Sequence, residues 1–203
     1  MNRAPLLALP LLLLVSCAAT VIPPASVAEP ATVVLLTHGK SSSLVLPNNG
    51  PGITRWAFGD WRYYARGRTG PFESAAAVLW PTQGTLGRQQ IESAPVRLDD
   101  LINQLGIGID DAFPLIVERA AVDSLRQRLQ AVFEANRATL LYNPSPRLEF
   151  VHHPEPYTLF NSSNRKVAQW LRELGCEISG VPLLSNWRIE RVAQQAPHPV
   201  MIP

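Results

Sequence analysis

The sequence predicts an α+β domain, with a small antiparallel sheet packed against helices. Three observations predict it. Short β-branched and leucine runs bounded by Gly, Pro and Asn crowd residues 32–60. Two apolar stripes at helical spacing lie much later, over 121–136 and 163–174. The order of elements mixes helices with strands short enough for hairpin pairing, which argues against a regular βαβ alternation. An apolar fraction of 46% and a charged fraction of 17% in 203 residues suit one globular domain with its own core.

Residues 1–16, MNRAPLLALPLLLLVS, read as a signal segment: Arg3 supplies a positive start, and Pro5 to Val15 form an apolar run. That run is shorter than the roughly 20 residues a membrane-spanning helix needs. It ends in LVSC, which is similar to the lipobox of bacterial lipoproteins, where the cysteine is acylated. The alternative is ordinary cleavage after Ser26-Val27-Ala28, well beyond the apolar run. Acylation of Cys17 would hold the protein on a membrane surface rather than across it. Such a chain belongs to the bacterial cell envelope and faces the periplasm; Ala18 after the cysteine favours the outer membrane of a Gram-negative cell. With Cys17 lipidated, Cys176 is the one free thiol of the two cysteines, read as a small buried side chain, and no intramolecular disulfide forms.

Residues 17–30 are then the acylated cysteine and an Ala/Pro-rich tether. The domain runs from 31 to 196, followed by a Pro-rich tail, 197–203. It opens with the strands TVVLLTHGK and SSSLVLP, turning near Gly39. Asn-Asn-Gly-Pro-Gly punctuates the next turn. ITRWAFGDWRYYARG is rich in aromatics and ambiguous between helix and strand. ESAAAVLWP reads as a short helix stopped by Pro81, and GTLGRQQIE as a strand. Val122, Leu125, Leu129, Val132 and Phe133 form one stripe of a helix. ATLLY and RLEFVHH read as strands paired across Asn-Pro-Ser-Pro. Val167, Trp170, Leu171 and Leu174 face the core from a last helix that Gly175 ends. LLSNWRIERVAQQA reads as a terminal helix or an irregular arm.

Several functions are excluded at this level. A net charge of +2 without a basic stripe does not suit a nucleic-acid binder. No His-x-x-x-His, Cys-x-x-Cys or carboxylate cluster has metal-ligand spacing, and Leu105 to Asp111, LGIGIDD, lacks the lysine of a phosphate loop. No cofactor is implied.

Four segments in one order carry a family resemblance across most of residues 31–196. HGKSSSLVLP (38–47) resembles the pattern Asn-Gly-Trp-His-Thr-Asp-Leu-Val-Leu-Pro. RWAFGDWRYY (55–64) resembles Glu-Phe-Gly-Trp-Gly-Asp with Phe-Tyr two residues on. Leu79 to Thr82 repeats Leu-Trp-Pro-Thr, and YTLFNSSN (157–164) resembles Tyr-x-Leu-Phe-Asn-Thr-Cys-Asn before a helix. These patterns belong to an uncharacterised bacterial family, some of whose members are called urease-associated proteins. That family is similar to the circularly permuted branch of the papain-like (NlpC-type) superfamily. The resemblance implies that fold, with a histidine early on a strand and a cysteine later at a helix start. In this chain Ser41 stands at the histidine position and Ser163 at the cysteine position, while Asp60 and Asn164 keep their places.

A cysteine is partly thiolate at neutral pH, whereas a serine needs a base within hydrogen-bond reach. Ser41 cannot be that base. His38, His152 and His153 are the weak candidates; on one regular strand His38 and Ser41 would face opposite ways unless the chain turns at Gly39. Adjacent His152 and His153 before Pro154 also read as loop, and His198 falls in the tail. Ser162 or Ser163 also reads as a helix N-cap, with a polar ligand contact and a nucleophile as the other roles. Asp60 reads as a turn or hydrogen-bonding residue. Trp56, Phe58, Trp61, Tyr63 and Tyr64 read as core, or else as walls of a groove. The expectation is a catalytically degenerate domain that binds an envelope component or partner protein. Its rivals are a hydrolase or acyltransferase using Ser163 with a recruited histidine, and a purely structural lipoprotein.

Overall fold

In the computed structural model of the chain the described residues are 18–67, 80–93 and 97–190. The signal segment 1–16, Cys17, most of the short helix expected before Pro81, and the tail 197–203 with His198 just inside it lie outside them. The described chain is mixed α+β. It contains strands β1 (Thr20–Ile22), β2 (Pro30–His38), β3 (Ser41–Pro47), β4 (Ile53–Asp60) and β5 (Gly84–Ile91). After these come helix α1 (Leu98–Leu105), strand β6 (Asp111–Glu118), helix α2 (Arg119–Ala135), and strands β7 (Leu141–Asn143) and β8 (Leu148–His152). Helix α3 (Ser163–Glu173) and strands β9 (Glu177–Ser179) and β10 (Arg188–Ile189) complete it.

Seven strands form one antiparallel sheet in the order β6-β2-β3-β4-β5-β8-β7. That is a larger sheet than the sequence suggested. The unforeseen member is β6, whose apolar run is interrupted by Pro114. Proline donates no ladder bond and is tolerated because β6 is an edge strand, paired with β2 alone. The β2–β3 hairpin turns over Gly39 and Lys40, with Gly39 at φ +60°, a conformation that favours glycine.

Both faces of this sheet are covered. On one, α2 and α3 pack against Val33, Leu35, Leu44, Leu46, Trp56, Phe58 and Leu86. The stripe read from the sequence supplies α2's contribution: Val122, Leu125, Leu129 and Phe133 are buried, with Val132 partly so. On the other, Leu101 and Leu105 of α1 cover Val34, Leu36, Val45 and Ile53. A single turn of π-helix, Trp61–Ala65, covers Ala57, Leu148 and Phe150 on the same side. Every residue of β3 and β4 is therefore buried. This is why 53–60 lacks the polar/apolar alternation of a half-exposed strand and its type was ambiguous.

The segment expected to be a free tether is in part a structural element. β1 lies between β9, antiparallel, and β10, parallel. Ala19 and Val21 enter the main core beside Trp187. A three-residue strand is too short to show periodicity, so no pattern announces it. The arm after α3 is irregular up to β10 rather than helical over 183–190. Val21 is 0% exposed, so Val21→Ala should lower the unfolding free energy by about 1–3 kcal/mol. Urea denaturation checks this; an undocked tether would show no change.

Candidate functional site

Three consecutive serines open β3, and alternation along the strand sends them into separate networks. Ser42 donates to Asn164 Oδ1 at 2.8 Å and accepts from Trp187 Nε1 at 2.7 Å. Asn164 in turn donates to the carbonyls of Lys40 and Leu183, at 3.0 and 3.2 Å. This clasp ties the start of α3 to the β2–β3 turn and to the chain after α3. Ser41 and Ser43 point to the opposite face. Ser43 Oγ is 3.1 Å from His38 Nε2 and accepts from Arg55 Nε at 3.0 Å. Ser41 is bonded to the Tyr64 hydroxyl, which Ser163 also reaches.

The two residues standing at the resembled histidine and cysteine positions are thus brought together, with a phenol between them. Local structure dictates the phenol's place. Asp60 Oδ1 accepts from the Tyr63 amide at 2.7 Å and caps the π turn. Gly59 makes room for the ring, since a Cβ there would overlap Tyr64. Burial pushes the Tyr64 hydroxyl above its ordinary pKa. Among the described residues none of the hydrogen bonds of Ser163 runs to an imidazole. The junction serines also do not cap α3 with their side chains. Ser162 occupies the N-cap position at φ −90° and ψ 174° but makes no side-chain cap bond, and its Oγ is buried without a partner. Ser163 is the first helical residue, turned to Tyr64 instead of the free amides.

The imidazoles sit elsewhere. The turn at Gly39 pairs His38 directly across from Ser41, so both share a face. Arg55 Nη2 lies 3.3 Å from His38 Nε2 and must donate, so Nε2 is the unprotonated nitrogen and Ser43 donates to it too. Burial and the Arg55 charge push His38 down to about 4. His152 packs edge-on to Trp61, ring centroids 4.4 Å apart. His153 packs edge-on to Phe58 at 5.0 Å, and its Nδ1 accepts from the Glu155 amide at 3.0 Å. Burial, with Lys166 nearby, pushes His153 down to about 4. Cys176 is buried, its thiol pushed up to about 12.

A cavity of about 180 Å³ opens beside the hydroxyl pair. His38, Ser41, Arg55 and Tyr64 give it polar walls, and Ala57, Phe58, Ile107, Leu148 and Phe150 give it apolar ones. Of the aromatics read as core or groove, Trp56 and Trp61 are core, Phe58 and Tyr64 line the cavity, and Tyr63 is exposed. Arg55 escaped the sequence reading; its only signal was a lone charge inside the apolar run of β4. Among the described residues no group of three His, Cys, Asp or Glu side chains is placed to hold a metal. Compared with protein-family models, curated proteins and solved structures, the chain matches none.

The two depressed histidines set a pH dependence. Their folded values of about 4 lie below the ordinary imidazole value of 6.5, so between those limits the unfolded chain binds more protons. Their contribution is complete above pH 6.5 and is lost as pH falls toward 4, by about 1.4 kcal/mol per pH unit for each imidazole. Urea unfolding at about pH 7, 6 and 5 should show this fall, and His38→Gln should remove about half of the slope.

Proposed function

We propose that the protein is a lipid-anchored component of the bacterial envelope whose domain, of permuted papain-like kind, binds a ligand or partner without cleaving it. One observation carries the reading: Ser41 and Ser163 converge on the Tyr64 hydroxyl, and no imidazole joins them among the described residues. A serine beside a serine and a neutral phenol has hydrogen-bond donors and acceptors but no base for neutral pH. The rival reading, hydrolysis or acyl transfer through Ser163, needs a recruited histidine. His38 is committed to Ser43 and Arg55, and His153 to the Glu155 amide. His152 packs on Trp61. The cavity beside the hydroxyl pair supports this reading over a purely structural role. The unmatched comparisons leave the envelope assignment resting on the lipobox-like segment before Cys17.

Ser163→Ala should remove one hydrogen bond and lower stability by about 0.5–1.5 kcal/mol. Hydrolysis of a panel of activated esters and peptides should be at background for both forms. An esterase or peptidase activity that disappears in Ser163→Ala, with folding intact, would overturn the non-catalytic reading.

A further inference from the structure

Two other buried cations among the described residues have a carboxylate beside them. Arg88, 6% exposed, lies 2.8 Å from Glu149 and 3.4 Å from Glu134. Lys166, 2% exposed, lies 2.6 Å from Glu155. Arg55 is 2% exposed as well, yet its partners are all neutral: Ser43, His38, the Pro146 carbonyl at 3.1 Å and, at 3.5 Å, Gln89. Among the described residues no carboxylate is in ion-pair contact with it. A charge held out of water without a counter-charge is costly, and its neighbours compensate it with dipoles alone. Nη2 carries two N–H groups and, among the described residues, has one partner, His38. Arg55 also faces the cavity, along with the Ser41–Tyr64 hydroxyl pair.

We infer that this cavity binds a small monocarboxylate with a short apolar body, whose carboxylate supplies the counter-charge of Arg55. The remaining Nη2 donor and the hydroxyls at the polar end suit carboxylate oxygens. Ala57, Ile107, Leu148 and Phe150 suit an alkyl chain. The volume of about 180 Å³ is on the order of six waters' share of liquid, the size of a four-carbon acid. A free phosphate fits less well, because it has no apolar body to place against Ala57, Ile107, Leu148 and Phe150. The inference rests on the binding reading above and names the ligand class of that site.

The test follows thermal unfolding of the full chain at constant ionic strength and neutral pH, with butyrate, its neutral isostere butyramide, and inorganic phosphate. Butyrate should raise the midpoint saturably, while butyramide and phosphate leave it unmoved. No shift with butyrate, or an equal shift with butyramide or phosphate, would overturn the proposal. Arg55→Met and, separately, Ala57→Leu, which fills the cavity and keeps the guanidinium, should each weaken the butyrate response by about tenfold or more. The ligand comparison stands even where a variant fails to fold, and a folded variant with the full response counts against the site. Failure here leaves the non-catalytic reading intact, because that reading falls only to a Ser163-dependent hydrolysis.

Discussion

Burial of the two central strands on both faces is the constraint from which the rest of the structure follows. β3 and β4 have no face left for water, so each polar side chain on them needs a partner within the protein. Thr54 bonds to Asn48, and Arg55 finds four neutral acceptors; Trp56 Nε1 is the exception on these strands. The demand is heaviest at Ser41–Ser43, where three hydroxyls arrive in succession. Meeting it recruits the π turn through Tyr64, the start of α3 through Asn164, the arm after α3 through Trp187, and the hairpin end through His38. Elements far apart in sequence are positioned by these few bonds. The site-like geometry is partly a product of satisfying a doubly covered sheet.

The same constraint sets the chemistry. A buried imidazole surrounded by donors stays neutral, and His38 receives hydrogen bonds from Ser43 and Arg55 on the one nitrogen that would have to take a proton. A buried phenol stays protonated, so Tyr64 joins Ser41 and Ser163 as a third hydroxyl rather than as a base. Hydroxyls in this setting orient a bound molecule. Among the described residues that line the cavity, Arg55 is the one that carries a charge.

Legibility followed the strength of local pattern. The stripe of α2 has the right spacing over several turns and was readable, as were the hairpin at Gly39 and the end of α3 at Gly175. Helix α1 is hard to read from sequence: it has eight residues, and Arg97 at its N-cap makes no side-chain bond, so no start signal precedes it. β1, β9 and β10 hold three residues or fewer and exist only through pairing with one another. Ser162 shows the converse failure: the right residue stands at the right position, but its hydroxyl is not used for the cap. Ser41 and Ser163 were candidates through the resemblance alone, whereas Tyr64 as the residue between them required the π turn, which no residue pattern announced.

The docking of Ala19 and β1 into the core bears on how the molecule would stand at a lipid surface. Under the proposed attachment at Cys17, the chain between the acylated residue and the first anchored side chain, Ala19, reaches only about 7 Å. The lipid would then act as a pivot set against the body of the domain rather than as a leash. Height above the bilayer and tilt would be confined by that short reach, and the face carrying β1, β9 and β10 would be the one held nearest the headgroups.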